Sequence, residues 1–241
     1  MLASFSVATG GPAHAEGPWP SLTTPAPAHK GGEKDGAIVI SIGKYQYLPP
    51  IAGASENGRS WYQWFTRSRG IPAGRAQWLK NNDATPNKIR QAVNDLLTDL
   101  PPGGTLWIVY IGHGAANDSR EGYLIGPNAQ EEDAEFFPQS LKQSELLELA
   151  EKGPQAQTMV IVDSCFSGRT TEGAPVRSKM ATIPASRPPV SERTTFLAAG
   201  KSNEFAGELP GEQRPAFSYL VLGGLRGWAD QGVATATAMA R

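Results

Sequence analysis

The sequence contains Thr105-Leu106-Trp107-Ile108-Val109-Tyr110-Ile111, an unbroken apolar run that leads directly into Gly112-His113-Gly114. A second run, Thr158-Met159-Val160-Ile161-Val162, leads in the same way into Asp163-Ser164-Cys165-Phe166-Ser167-Gly168. Short, continuous, β-branched runs are typical of strands buried on both faces of a parallel sheet. A helical pattern at residues 140–151 lies between the two runs. Strand, helix and strand in this order predict two parallel strands joined by a right-handed crossover.

Other segments extend this unit in both directions along the chain. Thr85 is placed to cap a helix that begins at Pro86 and ends before Pro101, with apolar residues on one face. The alternation of helices and strands predicts the α/β class. The further strands are expected at 37–43, 76–79 and 195–199, and the further helices at 55–69 and 215–229.

Composition excludes several classes of protein. The chain has 241 residues, with 22 Lys and Arg against 23 Asp and Glu, so its charge gives no reason to expect nucleic acid or an anionic membrane as a partner. No apolar run approaches the roughly 20 residues that span a bilayer. With a single cysteine, the chain forms neither an intrachain disulfide nor a multi-cysteine metal site.

The first 36 residues are rich in Ala, Gly, Pro, Ser and Thr and have no sustained periodicity. Ala13-His14-Ala15 fits the small-x-small pattern of a signal-peptidase site, which predicts the end of a secretory signal and a periplasmic or secreted protein. The alternative is a disordered leader on a cytoplasmic protein. Either way residues 1–36 are expected to be leader and linker, and 37–241 one domain with a long loop at 170–193.

Chemistry is concentrated on two residues. His14 and His29 lie in the leader, so His113 is the only histidine of the expected domain, and Cys165 is the only cysteine of the chain. Both follow strand ends, where α/β sheets gather functional groups, and both have small neighbours that leave room for a substrate. The alternative is that they are a buried apolar cysteine and a hydrogen-bonded structural histidine.

A cysteine and a histidine so placed can perform nucleophilic catalysis. A thiol with a reference pKa of about 8.5 is mostly protonated at neutral pH, and an imidazole beside it can accept its proton. The same imidazole can then protonate the leaving group. Backbone N–H groups must stabilise the oxyanion, and Gly114 and Cys165 are the expected donors because both follow strand ends.

The two motifs resemble the paired histidine and cysteine motifs of the caspase/metacaspase superfamily of cysteine peptidases, which includes bacterial caspase-like proteins. Cys165 follows His113 by 52 residues, near the roughly 50 that separate the pair in that class. The resemblance implies a three-layer α/β/α sandwich around a mostly parallel sheet, an endopeptidase acting on polypeptides, and no cofactor. It extends over most of residues 37–230, through 37–45, 122–125, 196–208 and 217–227.

The resemblance also implies a substrate preference. Asp163 matches an acidic residue that lines the S1 pocket of metacaspases, which cleave after Arg or Lys, and a carboxylate opposite a guanidinium suits that preference. The alternative is that Asp163 braces the turn holding Cys165. Two positions depart from the family: Phe166 replaces a histidine, and Asn57, beside Glu56, stands where a second acidic pocket residue is expected.

Further expectations follow from the same likeness. The loop at 170–193 corresponds to a linker that relatives cut during activation, which makes Arg177, Lys179, Arg187 and Arg193 candidate self-cleavage sites. Some metacaspases use calcium, but the run Glu131-Glu132-Asp133 is better interpreted as a solvated loop, so no metal site is predicted. The alternative functions are a caspase-like interaction module with weak or no peptidase activity, and a hydrolase or acyltransferase that uses the same pair on another acyl group.

Overall fold

Five parallel strands form the central sheet of the protein. The structure, a computed structural model, describes residues 19–28, 30–132, 136–166, 185–199 and 207–228. The strand order is β2-β1-β3-β7-β8, and every pairing between neighbours is parallel. These strands are β1 (Gly36–Ser41), β2 (Ala76–Lys80), β3 (Thr105–Ile111), β7 (Gln157–Asp163) and β8 (Thr194–Ala198).

Helices cover both faces of this sheet. They are α1 (Ala54–Gln63), α2 (Pro86–Asp99), α3 (Gln143–Ala150) and α4 (Ala216–Leu225). Helices α1 and α4 pack on one face, and α2 and α3 on the other. The predicted three-layer α/β/α sandwich around a parallel sheet is therefore confirmed.

Side chains of β1 and β3 alternate between the two faces, as the period of a strand requires. Ile40 and Ile108 join a buried cluster with residues of α2 and α3. Val39 and Val109 join the opposite cluster, which contains Trp61 of α1 and residues of α4. Burial on both sides explains why these strands are continuous apolar runs rather than alternating ones.

A second, smaller sheet follows the histidine motif. It is antiparallel, in the order β4-β5-β6, and consists of β4 (Gly114–Ala116), β5 (Gly122–Ile125) and β6 (Ser140–Lys142). It has its own buried cluster around Phe136 and Tyr123. Its strands have three to four residues, too short for a period to be recognised in the sequence.

Most predicted elements are confirmed within a residue or two. Thr85 caps α2 as expected, accepting a hydrogen bond from the N–H of Lys88. The helix expected over 55–69 changes character, because α1 ends at Gln63 and a π-helical turn continues over Trp64–Arg69. The helix expected over 140–151 begins at Gln143, since residues 140–142 form β6. No helix among the described residues has the length and hydropathy to cross a membrane.

Part of the expected linker packs against the domain. Leu22 is buried in the cluster that contains Trp61, and the indole of Trp19 donates to the carbonyl of Pro210. The hydroxyl of Tyr219 bonds the carbonyl of Pro20. Residues 19–28, which we call the N-terminal strap, therefore pack against α1 and the region of α4.

Candidate active site

The register of two neighbouring strands brings the histidine and cysteine motifs to one edge of the sheet. Ile111 of β3 pairs with Asp163 of β7, and the N–H of Gly112 donates to the carbonyl of Asp163 at 3.2 Å. His113 and Cys165 each stand two residues beyond that last pair, so both follow neighbouring strands, about 4.8 Å apart, at the same edge of the sheet. Both are buried: His113 is 3% exposed and Cys165 is 7% exposed.

The imidazole of His113 is held by two groups from the loop after β1. Its Nε2 lies 2.8 Å from the carbonyl oxygen of Pro49. The ring of Tyr45 packs against it with 4.6 Å between ring centroids, and the Tyr45 hydroxyl accepts the backbone N–H of His113 at 2.7 Å. A carbonyl only accepts, so Nε2 carries the proton of the neutral ring and Nδ1 is left as the basic nitrogen.

Burial keeps His113 neutral. Desolvation lowers the pKa of its imidazole from 6.5 to about 4, although the bond to the Pro49 carbonyl acts in the opposite direction. At neutral pH the ring is therefore able to accept a proton rather than already carrying one. This is the protonation state that a general base requires.

The loop that presents Pro49 is itself anchored. The side-chain oxygen of Asn81 accepts the N–H groups of both Gly43 and Lys44, at 3.0 and 3.1 Å. The N–H of Ile51 returns to the carbonyl of Gly43 at 3.0 Å. Asn81 has a φ of 49°, a left-handed conformation that asparagine tolerates better than most residues. The position of the Pro49 carbonyl is thus set by the tertiary structure.

Gly114 lies where the histidine and cysteine motifs meet. A Cβ at this position would be 2.3 Å from the hydroxyl of Ser164 and 3.0 Å from the ring of Phe166, so any side chain here would displace both groups. The N–H of Ile125 bonds the carbonyl of His113 at 3.0 Å, so the following pair, Gly114 and Leu124, falls at a non-hydrogen-bonded position of the ladder. The N–H of Gly114 is therefore not used by β5, as an oxyanion donor requires.

Phe166, expected to stand where the resembled motif has a histidine, has a packing role. It is 9% exposed and belongs to the cluster that includes Tyr110 and Leu124. The side chain therefore fills space beneath the cysteine motif, which a charged or polar ring would do less well.

Asp163 anchors the start of α4. Its carboxylate accepts the N–H of Ser218 at 2.7 Å, and the residue is 4% exposed. Burial raises the pKa of this carboxyl from 3.8 to about 6, although hydrogen bonds from the Ser218 side chain and backbone lower it. The described contact joins the carboxylate to α4, whereas bracing of the turn that holds Cys165 and lining of the S1 pocket both stay predictions.

Asn57 lies in the same network and is fully buried. Its amide nitrogen donates to the carbonyl of Pro215 at 2.8 Å and to the hydroxyl of Ser218 at 2.9 Å. Its amide oxygen accepts Nε of Arg214 at 2.8 Å. Both ends of the amide are therefore engaged by the protein, and the substrate-binding role of Asn57 remains a prediction.

The candidate cleavage sites divide into two groups. Arg177 and Lys179 lie outside the described residues. Arg187 is exposed and precedes Pro188. Arg193 is fixed at the start of β8, where its guanidinium donates to the carboxylate of Glu151 at 2.8 Å and to the carbonyl of Gln155 at 2.9 Å.

No metal centre is formed by the described residues. Glu131 and Glu132 belong to that part of the chain, whereas Asp133 lies outside it. Nowhere in the described ranges do three His, Cys, Asp or Glu side chains converge as a metal site requires.

Three residues of the site were not identified from the sequence. Tyr45, Pro49 and Ser218 contact His113 or Asp163 across 68, 64 and 55 residues of chain respectively. Of these three residues, only Tyr45 could have been suspected from the sequence, because it follows the end of the first strand, where α/β sheets gather functional groups.

Comparisons with known proteins support part of the expected resemblance to metacaspases. No known family profile matches the chain. Metacaspase-3 of Trypanosoma brucei brucei is 29% identical over 123 residues, which cover 48% of this chain and 32% of that protein. The chain thus spans about a third of that relative's length. A crystal structure of a protein from Geobacter sulfurreducens has a TM-score of 0.43 at 17% identity, covering 55% of this chain and 50% of that one. The chain is therefore distantly similar to a metacaspase over about half of its length.

Proposed function

We propose that the protein is a cysteine endopeptidase that uses Cys165 as nucleophile and His113 as base. One observation carries this proposal: the pairing of Ile111 with Asp163 delivers a neutral histidine and the chain's single cysteine to the same edge of the sheet. A structural cysteine and histidine have no need of this shared register. The distant likeness to a metacaspase points to the same chemistry.

The chemistry follows from the protonation state of the pair. Nδ1 of His113 takes the proton from the Cys165 thiol, and the thiolate attacks the peptide carbonyl carbon, forming a C–S bond and an oxyanion. The N–H groups of Gly114 and Cys165 stabilise that oxyanion. The protonated imidazole then donates to the leaving amine as the C–N bond breaks. Water hydrolyses the thioester, regenerating the thiol.

We also propose that the peptidase prefers Arg or Lys at P1. Asp163 is the acidic group of the S1 pocket in this proposal. Its support is a carboxylate located two residues before the nucleophile. At neutral pH this carboxylate is ionised, because its pKa is raised only to about 6. An ionised, poorly solvated carboxylate gains more from a guanidinium or ammonium partner than a solvated one does.

Self-cleavage in the segment 170–193 is also proposed. Arg177 and Lys179 are the favoured sites, because the bond after Arg187 leads into a proline and the side chain of Arg193 is bound to Glu151. Proline at the following position has no N–H and a fixed φ, which disfavours the extended geometry of a bound substrate.

A panel of fluorogenic peptides that differ only at P1 tests the proposal. We expect cleavage after Arg and Lys that disappears in Cys165→Ala and His113→Ala, with Tyr47→Phe as a control on an exposed residue. Cleavage after Asp alone would refute the basic pocket and keep the dyad. If no peptide is cleaved by folded wild-type protein, the peptidase proposal fails and the interaction module replaces it.

A further inference from the structure

A cavity with polar and apolar walls lies between the N-terminal strap and the C-terminal part of α1. Its volume is about 80 Å³. A cavity needs only about 10–15 Å³ by the same measure to hold one water, so this one accommodates a larger group. Its walls include Thr24, Ser60, Trp64, Arg67, Ser68 and Arg226.

Two buried hydrogen-bond donors of these walls have no partner among the described residues. They are the indole Nε1 of Trp64 and Nε of Arg226. Trp64 is only 6% exposed, so water reaches its N–H poorly from outside. Buried donors are almost always paired in folded proteins, and an unpaired one indicates an unrecorded water, ion or ligand.

Two arginines give the cavity a positive charge that no carboxylate of the described residues balances by an ion pair. Neither Arg67 nor Arg226 forms an ion pair with a described carboxylate. The strap residues 19–28 contain no charged side chain. Burial lowers the pKa of Arg226, as expected for a guanidinium that loses water without gaining an acid.

The backbone at this point is unusual as well. Trp64, Arg67 and Ser68 all belong to the π-helical turn Trp64–Arg69 that follows α1. π-helical segments are rare and are frequently found at functional sites. Here the wider turn places an indole, a guanidinium and a hydroxyl around one cavity.

We propose that this cavity binds a small inorganic oxyanion of the phosphate or sulfate type. Such an ion has acceptor oxygens for the two unpaired donors and a charge that both guanidinium groups complement. Bound there, it joins the strap at Thr24, the π-helical turn and the residue after α4, Arg226, whose Nη2 also bonds the Thr24 carbonyl. The site is independent of the cysteine and histidine, so it stands whether or not the chain is a peptidase.

Calorimetric titration of the full chain with inorganic phosphate, at constant ionic strength maintained with potassium chloride, tests this directly. We expect one saturable site and a rise in melting temperature with phosphate or sulfate, but not with acetate or additional chloride. Arg67→Gln and Arg226→Gln should each weaken phosphate binding about tenfold, since each removes a charge-assisted hydrogen bond. Arg59→Gln is the matched control, because Arg59 is an exposed arginine of α1 outside the cavity walls.

Because Arg67 is exposed, Arg67→Gln tests phosphate binding even if Arg226→Gln loosens the packing of the strap. Trp64→Phe, which removes the indole N–H together with part of the buried ring, should also weaken binding. Absence of saturable phosphate binding, or equal weakening by Arg59→Gln, overturns the proposal and leaves a cavity filled by water. Tighter binding of a phosphomonoester than of free phosphate overturns the inorganic ion as the ligand.

Discussion

The backbone N–H of His113 donates to the hydroxyl of Tyr45 at 2.7 Å, while the two rings pack with 4.6 Å between their centroids. One side chain therefore fixes both the main chain and the imidazole of the proposed base. The Tyr110 hydroxyl completes the arrangement by donating to the carbonyl of His113 at 2.7 Å. Both the N–H and the carbonyl of His113 are therefore hydrogen-bonded to tyrosine hydroxyls, and its ring packs against Tyr45.

Tyr45→Phe should slow catalysis more than it weakens substrate binding. The variant keeps the packed ring and leaves the buried N–H of His113 without its acceptor, a loss worth about 1–3 kcal/mol. Displacement of the base by a fraction of an ångström should lower kcat about tenfold or more with KM nearly unchanged. Steady-state kinetics measure the split. Tyr47→Phe is the control, because Tyr47 is 49% exposed. Equal kcat values for the two variants would show that Tyr45 does not position His113.

Stability should depend on pH through two opposing groups. The folded-state pKa of His113 is depressed from 6.5 to about 4, so its contribution is present above 6.5 and is lost as the pH falls toward 4. The folded-state pKa of Asp163 is raised from 3.8 to about 6, so its contribution is present below 3.8 and is lost as the pH rises through 6. Each amounts to at most about 3 kcal/mol, and the two nearly cancel.

Single variants should separate the two dependences of the free energy of unfolding on pH. In Asp163→Asn the free energy of unfolding should rise from pH 4.5 to 6.5, because only the histidine term remains. In His113→Gln it should fall over the same range. Urea unfolding at several pH values measures both. Parallel pH profiles for wild type and either variant would contradict the assignment.

Asp163→Asn also separates the two roles of that residue. The amide oxygen can still accept the Ser218 N–H, so α4 should stay anchored and the melting temperature at pH 7 should not fall. Loss of the charge should reduce kcat/KM for Arg and Lys substrates about 100-fold, as expected when a buried pocket group loses its partner. Unchanged selectivity in the folded variant would assign Asp163 to bracing alone.

Gly114→Ala should abolish activity in a protein that still folds. The added Cβ would fall 2.3 Å from the Ser164 hydroxyl and 3.0 Å from the Phe166 ring, so the hydroxyl must rotate away and the ring must shift, next to the nucleophile. We expect kcat to fall at least about 100-fold, since oxyanion donors act only at close range. Gly74→Ala is the matched control, because nothing lies within 4 Å of a Cβ there. Full activity in Gly114→Ala would show that catalysis does not require the close approach of the two motifs at this residue.

Self-cleavage should depend on Arg177 and Lys179 rather than on Arg187 or Arg193. Arg187→Gln and Arg193→Gln should be processed as the wild type is, whereas Arg177→Gln combined with Lys179→Gln should remain intact. Mass spectrometry of the new termini identifies the bond. Cys165→Ala is the control that distinguishes self-cleavage from a contaminating protease. Trimming of that variant would reject self-cleavage.

Local patterns were enough to predict the sheet but not every element around it. The sequence predicts the strand over Thr105–Ile111 to the residue, because burial on both faces of a sheet produces a short, continuous, β-branched apolar run. The sequence does not distinguish the π-helical turn from a continuation of α1, since its apolar residues fit a helical stripe. It predicts a linker where the strap packs, because the burial of Leu22 depends on a partner surface that is distant in the chain.

The positions of His113 and Cys165 at strand ends follow from the sequence, because each comes after an apolar run whose end is marked by small residues next to it in the chain. The groups that hold His113 and Asp163 are visible only in the folded protein. The Pro49 carbonyl that orients His113 and the Ser218 N–H that bonds Asp163 come from 64 and 55 residues away. Contacts of this kind leave no periodic or local signature, since a backbone carbonyl or N–H is the same in every residue type that carries it.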